Sequence, residues 1–352
     1  MTDRILIIAP AWVGDCVMAQ PLYRRLKEYR PDAHITVMAP DWTLPLLDRM
    51  PEVDATLHNP FGHGALKIGK RWRLGRSLKG QYDQVIVLPN SYKSALVPWF
   101  ARVPKRTGFV GESRYGLLND ARTLDTKALP QMVERFAVLA EPAGKRLPRP
   151  VPAPHLSIDP KSRATALQQL GLVHDKPVAA FCPGAEYGPA KRWPARHFAE
   201  LAKRLLSQGY DVWLFGSNKD QSETGEIVRL AGGGVVDLAG RTTLSQAIDL
   251  LSLADFVVTN DSGLMYVAAA LERPLVALYG SSSPEFTPPL SERAEVATLD
   301  LECSPCFERT CPLKHFDCLE KLQPDLVEAA IARTLTKPPG TPGAYIPVQR
   351  VR

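Results

Sequence analysis

The sequence predicts an α/β protein built from two doubly wound parallel sheets, and three observations predict it. Apolar, β-branched segments alternate with helix-like segments from the first residues onward, the pattern of parallel strands covered by helices. The alternation breaks over residues 141–160, where Pro142, Pro148, Pro150, Pro152, Pro154 and Pro160 stand, a density that neither a helix nor a central strand absorbs. It then restarts, and 352 residues leave room for two such domains.

In the front half, strands are expected over 5–9, 35–39 and 85–88, with amphipathic helices over 16–29, 91–102 and 131–140. The first apolar run, 5–13, falls well short of the roughly 20 residues that cross a bilayer. With Asp3 ahead of it and Gly14-Asp15 behind, it reads as a buried first strand rather than a secretory leader. Beyond the prolines, strands are expected over 178–182, 212–216, 235–238, 256–259 and 275–279. Helices are expected between them and over 324–336, ahead of a Pro/Gly-rich tail. The expected domains are 1–155 and 156–323, with the helix and tail of 324–352 packing back on the front domain.

A composition of 45% hydrophobic and 23% charged residues excludes a disordered chain, a collagen and a disulfide miniprotein. The net charge of +6 is unevenly placed: residues 1–150 carry +9, from 23 Lys and Arg against 14 Asp and Glu, and the remainder carries −3. A basic front half fits a partner bearing phosphate or carboxylate, or simply a solvated lysine surface. Six cysteines favour a reducing compartment. Cys16 and Cys182 read as small buried packers. Cys303, Cys306, Cys311 and Cys318 form C-x2-C-x4-C-x6-C, which fits no standard zinc finger, so reduced thiols pinning a loop stand beside a structural metal site.

Parallel sheets of this kind bind ligands at the carboxyl ends of their strands, and two of them leave a cleft, so the loops after strands are where chemistry is expected. The loop after the first strand, Pro10 to Asp15, has one glycine where a dinucleotide fold needs G-x-G-x-x-G. Gly14 permits close backbone approach. Asp15 is either a helix cap or a catalytic carboxylate facing the cleft. The Gly64 to Lys70 stretch satisfies G-x4-G-K, but Arg71 follows where a P-loop needs Ser or Thr. Lys67, Lys70, Arg71 and Arg73, with Trp72 among them, are an anion site for a phosphorylated acceptor or a solvated helix face.

In the second half, P-G-A-E-Y-G-P-A-K-R-W-P combines two glycines with Lys191 and Arg192 ahead of a helix, the ingredients of a diphosphate cradle. Asp220, after Gly216, can accept ribose hydroxyls or cap the next helix. Asp261, Ser262 and Gly263 put a carboxylate, a hydroxyl and a bare amide at a helix start, suited to phosphate or sugar hydroxyls. No D-x-D, H-E-x-x-H or G-x-S-x-G occurs, which removes the usual markers of carboxylate-held metal catalysis, zinc proteolysis and α/β-hydrolase chemistry.

Taken together, PAWVGDCVMAQPL, VLPNSYKSALVPWF, FCPGAEYGPAKRWP, FGSNKD, VTNDSGLMYVAAAL and RPLVALYGSSSPEFTPPLS resemble the bacterial lipopolysaccharide heptosyltransferases of glycosyltransferase family 9. The likeness runs from residue 5 to about residue 291, and the W-V-G-D and P-G-A-E-x-G-P-A-K-R-W-P blocks look like the type II enzymes. The resemblance implies a GT-B fold and inverting transfer of heptose from ADP-heptose to the first heptose of the Kdo2-lipid A inner core. No metal or cofactor is implied, and no nucleic-acid partner.

The resemblance also implies residue roles. Asp15 is the candidate base and Lys191 its catalytic counterpart, with Trp12 and the basic cluster toward the acceptor. Gly14, Gly184, Glu186, Tyr187, Gly216, Asp220, Thr242, Asp261, Ser262, Gly263 and Leu264 surround the donor, Asp220 at the ribose and Thr242 near adenine. Tyr266 stands where relatives often carry His. The implied location is cytoplasmic, peripheral at the anionic inner membrane.

Overall fold

The computed structural model describes residues 3–62, 64–338 and 350–351. The chain divides into two compact units, Met1–Pro152 and Ala153–Arg352, so the division falls inside the proline stretch.

The first unit is one parallel sheet of β1 (Arg4–Ile8), β2 (His34–Ala39), β3 (Ala55–His58), β4 (Gln84–Val87), β5 (Lys105–Phe109) and β6 (Asp120–Arg122). Their order is β3-β2-β1-β4-β5-β6. The three strands that sequence patterning anticipates are the central ones, whose side chains are almost all buried. The other three lie toward the edges, where half-exposed residues such as Thr56, Arg106 and Asp120 remove the apolar signal. The helix Val13–Tyr29 follows β1. The helix expected over 91–102 is broken into a 3-10 turn, Tyr92–Ala95, and a short helix, Leu96–Phe100. Ile68–Ser77 is helical and packs on that short helix through Gly75, where a Cβ would stand 2.5 Å from the Phe100 Cβ.

The second unit orders β7 (Val178–Cys182), β8 (Asp211–Leu214), β9 (Val235–Asp237), β10 (Phe256–Asn260), β11 (Leu275–Tyr279), β12 (Ala294–Thr298) and β13 (Arg350–Val351). Across the sheet they run β13-β12-β11-β10-β7-β8-β9, all parallel. Each sheet therefore reverses its winding once, between β1 and β4 in the first and between β7 and β10 in the second. That reversal opens the ends of the helices on either side, which is where such sheets take ligands.

One expectation needs correction. Pro160 does not extend the linker. It is the first residue of the helix Pro160–Leu170, capped by Asp159, whose carboxylate accepts from Lys161 N at 2.9 Å. Proline fits there because its missing N–H is one the first turn leaves unpaired in any case. In the helix Pro324–Thr336, Val327, Ala330 and Ile331, at helical spacing, join the core of the second unit against β11 and β12. The tail over 339–349 lies outside the described residues.

Candidate active site

In the first unit the chain leaves β1 and enters the helix Val13–Tyr29 through Trp12, whose extended backbone makes it the N-cap. Asp15 is thus not the cap; it is the third helical residue, partly buried and in the first turn, where a carboxylate complements the helix dipole. Gly14 is buried beside it. The loop is braced by the Trp42 indole N–H, which donates to Ala11 O at 2.9 Å, and by the Cys16 thiol, which reaches Pro10 O at 3.4 Å. Burial, and then the charge of Asp15, push the Cys16 thiol up to about 12, so it is a packing group rather than a nucleophile. Trp12 itself is 48% exposed.

The basic cluster splits. Lys67, Lys70 and Arg73 are exposed. Arg71, expected among them, is 5% exposed: its guanidinium lies 4.0 Å above the Phe61 ring and donates to Leu66 O, Ala65 O and Lys93 O at 2.6–3.0 Å. Burial pushes its pKa down. With all three of its side-chain nitrogens donating to carbonyls, Arg71 holds the 65–71 turn to the 92–95 turn, which removes it from the acceptor-binding set.

In the second unit the loop 183–193 leaves β7 and is fastened at both ends by one buried side chain, Asn260 at the end of β10. Its amide donates to Pro183 O at 2.6 Å, and its carbonyl accepts from Trp193 N at 3.0 Å. Asn260 stands in the V-T-N-D-S-G block, where the sequence draws notice to its neighbours, and only the fold reveals the staple. Trp193 is fully buried, its indole donating to Leu322 O at 2.7 Å, and Pro194 is the N-cap of the helix Ala195–Ser207 rather than its first residue.

Within the loop, Lys191 Nζ donates to Asp261 Oδ2 at 2.5 Å, the acid 4% and the lysine 18% exposed at their side chains. The same Nζ lies 5.1 Å from the centre of the Tyr187 ring. Glu186 pairs with Lys219 at the surface, and the Tyr187 hydroxyl donates to Phe307 O at 2.6 Å. Ser262 is the N-cap of the helix Gly263–Ala270, in which Gly263 and Leu264 are the first two residues; their amides are among the four that a helix start leaves open. Tyr266 is buried in that helix and donates to Thr287 O at 3.1 Å, turned into the protein.

Asp220 sits between two glycines. A Cβ on Gly184 would fall 2.5 Å from its carboxylate, and one on Gly216 would fall 2.9 Å from its Cβ. Its Oδ2 accepts from Ser217 N and Oγ, both at 2.8 Å, the capping geometry. Glu223, a turn further on and not singled out by sequence, is pushed up by burial, which the Arg192 charge partly offsets and the Asp220 charge reinforces. Thr242 is half-buried just ahead of the helix Leu244–Leu251.

Cys303, Cys306, Cys311 and Cys318 line one small cavity together with Ala190 and Ser281. Burial, and then the neighbouring cysteines, push the Cys318 thiol up to about 11. Among the described residues no group of three or more His, Cys, Asp or Glu is arranged to hold a metal ion. No helix among them is long and apolar enough to cross a membrane.

Two sheets reversing at β1/β4 and β7/β10, with a basic glycine-containing loop on the second, define a doubly wound α/β protein. Similarity to known proteins makes the class specific: residues 71–317 match the profile of glycosyltransferase family 9 (heptosyltransferase), and the chain belongs to that family. It is 54% identical over 306 residues to lipopolysaccharide heptosyltransferase 2 of Salmonella typhimurium, covering 84% of this chain and 88% of that one. It is 53% identical to the Escherichia coli enzyme of the same name, with the same coverage. A solved E. coli ADP-heptose lps heptosyltransferase II superposes with a TM-score of 0.85 and 47% identity, over 94% of this chain and 98% of that one. The fold is accordingly GT-B.

Proposed function

We infer that the protein is a lipopolysaccharide heptosyltransferase that adds heptose during inner-core synthesis. The donor is ADP-heptose and the acceptor is the first heptose on Kdo2-lipid A. The observation that carries this reading is the Lys191–Asp261 pair at the end of β10, on a loop stapled by Asn260, inside a chain about half identical to enzymes of that name.

The chemistry follows from charge. As the acceptor hydroxyl attacks the anomeric carbon, its proton passes to the Asp15 carboxylate, the new C–O bond forms, and the bond to the diphosphate breaks with its electron pair on the β-phosphate oxygen. Negative charge grows there in the transition state. Lys191, whose ammonium is presently held by Asp261, and the amides of Ser262, Gly263 and Leu264 are the groups that answer it. Gly184 and Gly216 admit the nucleotide close to the backbone, Asp220 takes the ribose, and Thr242 flanks adenine. Gly14, beside Asp15, lies toward the donor, while Trp12, with Lys67, Lys70 and Arg73, faces the phosphates and acidic sugars of the acceptor. The enzyme works peripherally at the cytoplasmic face of the membrane that bears its acceptor.

The decisive experiment is transfer from ADP-heptose measured beside UDP- and GDP-sugars with heptosyl-Kdo2-lipid A. Turnover is expected only with ADP-heptose, and none with that donor removes the reading. Because cationic side chains and amides carry the leaving charge, EDTA is expected to leave the rate nearly intact; a large loss restored by magnesium contradicts that mechanism.

A further inference from the structure

The segment that bears the four cysteines has no part in the chemistry above, yet it is built against the loop 183–193. Ala190 N donates to Arg309 O at 3.1 Å, and the Tyr187 hydroxyl donates to Phe307 O at 2.6 Å. Gly188, with φ at 158°, lies so close that a Cβ there would stand 2.4 Å from Arg309 O. Three contacts thus fix the backbone around Arg309 relative to the loop. Its side chain returns over the same loop: the guanidinium carbon lies 5.1 Å from the centre of the Tyr187 ring, the distance at which Lys191 Nζ stands from that ring.

Two cations converge on one aromatic ring. Each is attracted by the ring's quadrupole, and the two repel one another. Lys191 is held by Asp261, but among the described residues no carboxylate pairs with Arg309. Positive charge gathered at a loop after β7, with one partner in place and one lacking, is an arrangement that an anion completes, and a guanidinium fork is the group best shaped to take phosphate oxygens.

We infer that Arg309 is a second cation for the donor's diphosphate, presented by the cysteine-bearing segment over Tyr187 and acting beside Lys191. The inference rests on the reading above that Lys191 meets that diphosphate. It also gives a purpose to the segment whose Cys303, Cys306, Cys311 and Cys318 line one small cavity.

The test compares ADP and AMP binding to the full chain by titration calorimetry, because only ADP carries the second phosphate. Arg309→Ala is expected to weaken ADP about tenfold and leave AMP unchanged, with Arg309→Lys, which keeps the charge but not the fork, recovering only part of the loss. With ADP-heptose, kcat of Arg309→Ala is expected to fall more than KM rises, since charge on the diphosphate grows toward the transition state. ADP affinity unchanged in Arg309→Ala, or ADP and AMP weakened together, overturns the inference while the donor reading stands. Should Arg309→Ala not fold, Arg309→Gln keeps the stem over Tyr187 and carries the same comparison. If the unaltered chain shows no ADP affinity, the donor reading fails and takes this inference with it.

Discussion

At the scale of single residues, side chains of one type separate by environment. Asp15 and Asp220 both stand near helix starts, but Asp220 accepts from Ser217 in a cap, whereas Asp15 lies inside its helix and behind the cap residue. Asp15→Asn is therefore expected to lower kcat by about 10²- to 10⁴-fold, the range of a lost general base, with ADP affinity kept. Steady-state kinetics beside ADP titration measures both, and a kcat within a few-fold of the unaltered enzyme removes Asp15 as the base. Arg71 and Lys70 make a second contrast. Arg71→Ala removes a buried guanidinium that donates to three partly buried carbonyls and is expected to cost about 2–3 kcal/mol of stability in urea unfolding. Lys70→Ala, at an exposed side chain, is expected to leave the unfolding midpoint in place and raise the acceptor KM. Sequence could not separate them, because Lys67, Lys70, Arg71 and Arg73 read as one basic run and only the ring of Phe61 and the carbonyls of the adjoining turns withdraw Arg71 from it.

At the scale of elements, the central strands were legible because burial on both faces writes itself as unbroken apolar runs, as in β1, β7 and β10. β3, β5 and β6 were not: short strands near an edge carry little apolar signal, and their pairing depends on neighbours distant in sequence. The motif loops were legible as loops, but the staple by Asn260 and the support from the cysteine segment are tertiary facts. The helix Ala195–Ser207 that follows the 183–193 loop carries its own titration. His197 stacks on buried Trp193 at 5.4 Å between ring centres, and its Nε2 lies 3.0 Å from Glu320 O. Burial, and then the Arg196 charge, hold its pKa below the ordinary 6.5. The folded state thus favours the neutral ring, so the contribution to stability is complete above about pH 6.5 and is lost as pH falls through the depressed folded value. Melting temperatures followed from pH 7.5 to 5 are expected to fall more steeply for the unaltered protein than for His197→Gln; parallel curves would show that the ring does not titrate in this way.

At the scale of the whole molecule, the two units differ in both charge and role. Each holds its own buried core, one around β1 and β4 and the other around β7 and β10. The groups proposed above for the donor, Gly14 apart, belong to the second unit, and the +9 of residues 1–150 belongs to the first. A ligand stabilises the unit that binds it by mass action, about 2.7 kcal/mol at a hundredfold excess over Kd. Scanning calorimetry of the full chain is accordingly expected to resolve two transitions, of which ADP raises one and leaves the other near its original temperature. Lys191→Ala is expected to shrink the ADP-induced shift and also to lower the ligand-free transition of the second unit, because it leaves the buried Asp261 carboxylate without its ammonium. An equal rise of both transitions would mean that the nucleotide draws its affinity from groups in both units, and the assignment of donor binding to the second unit alone would have to be abandoned.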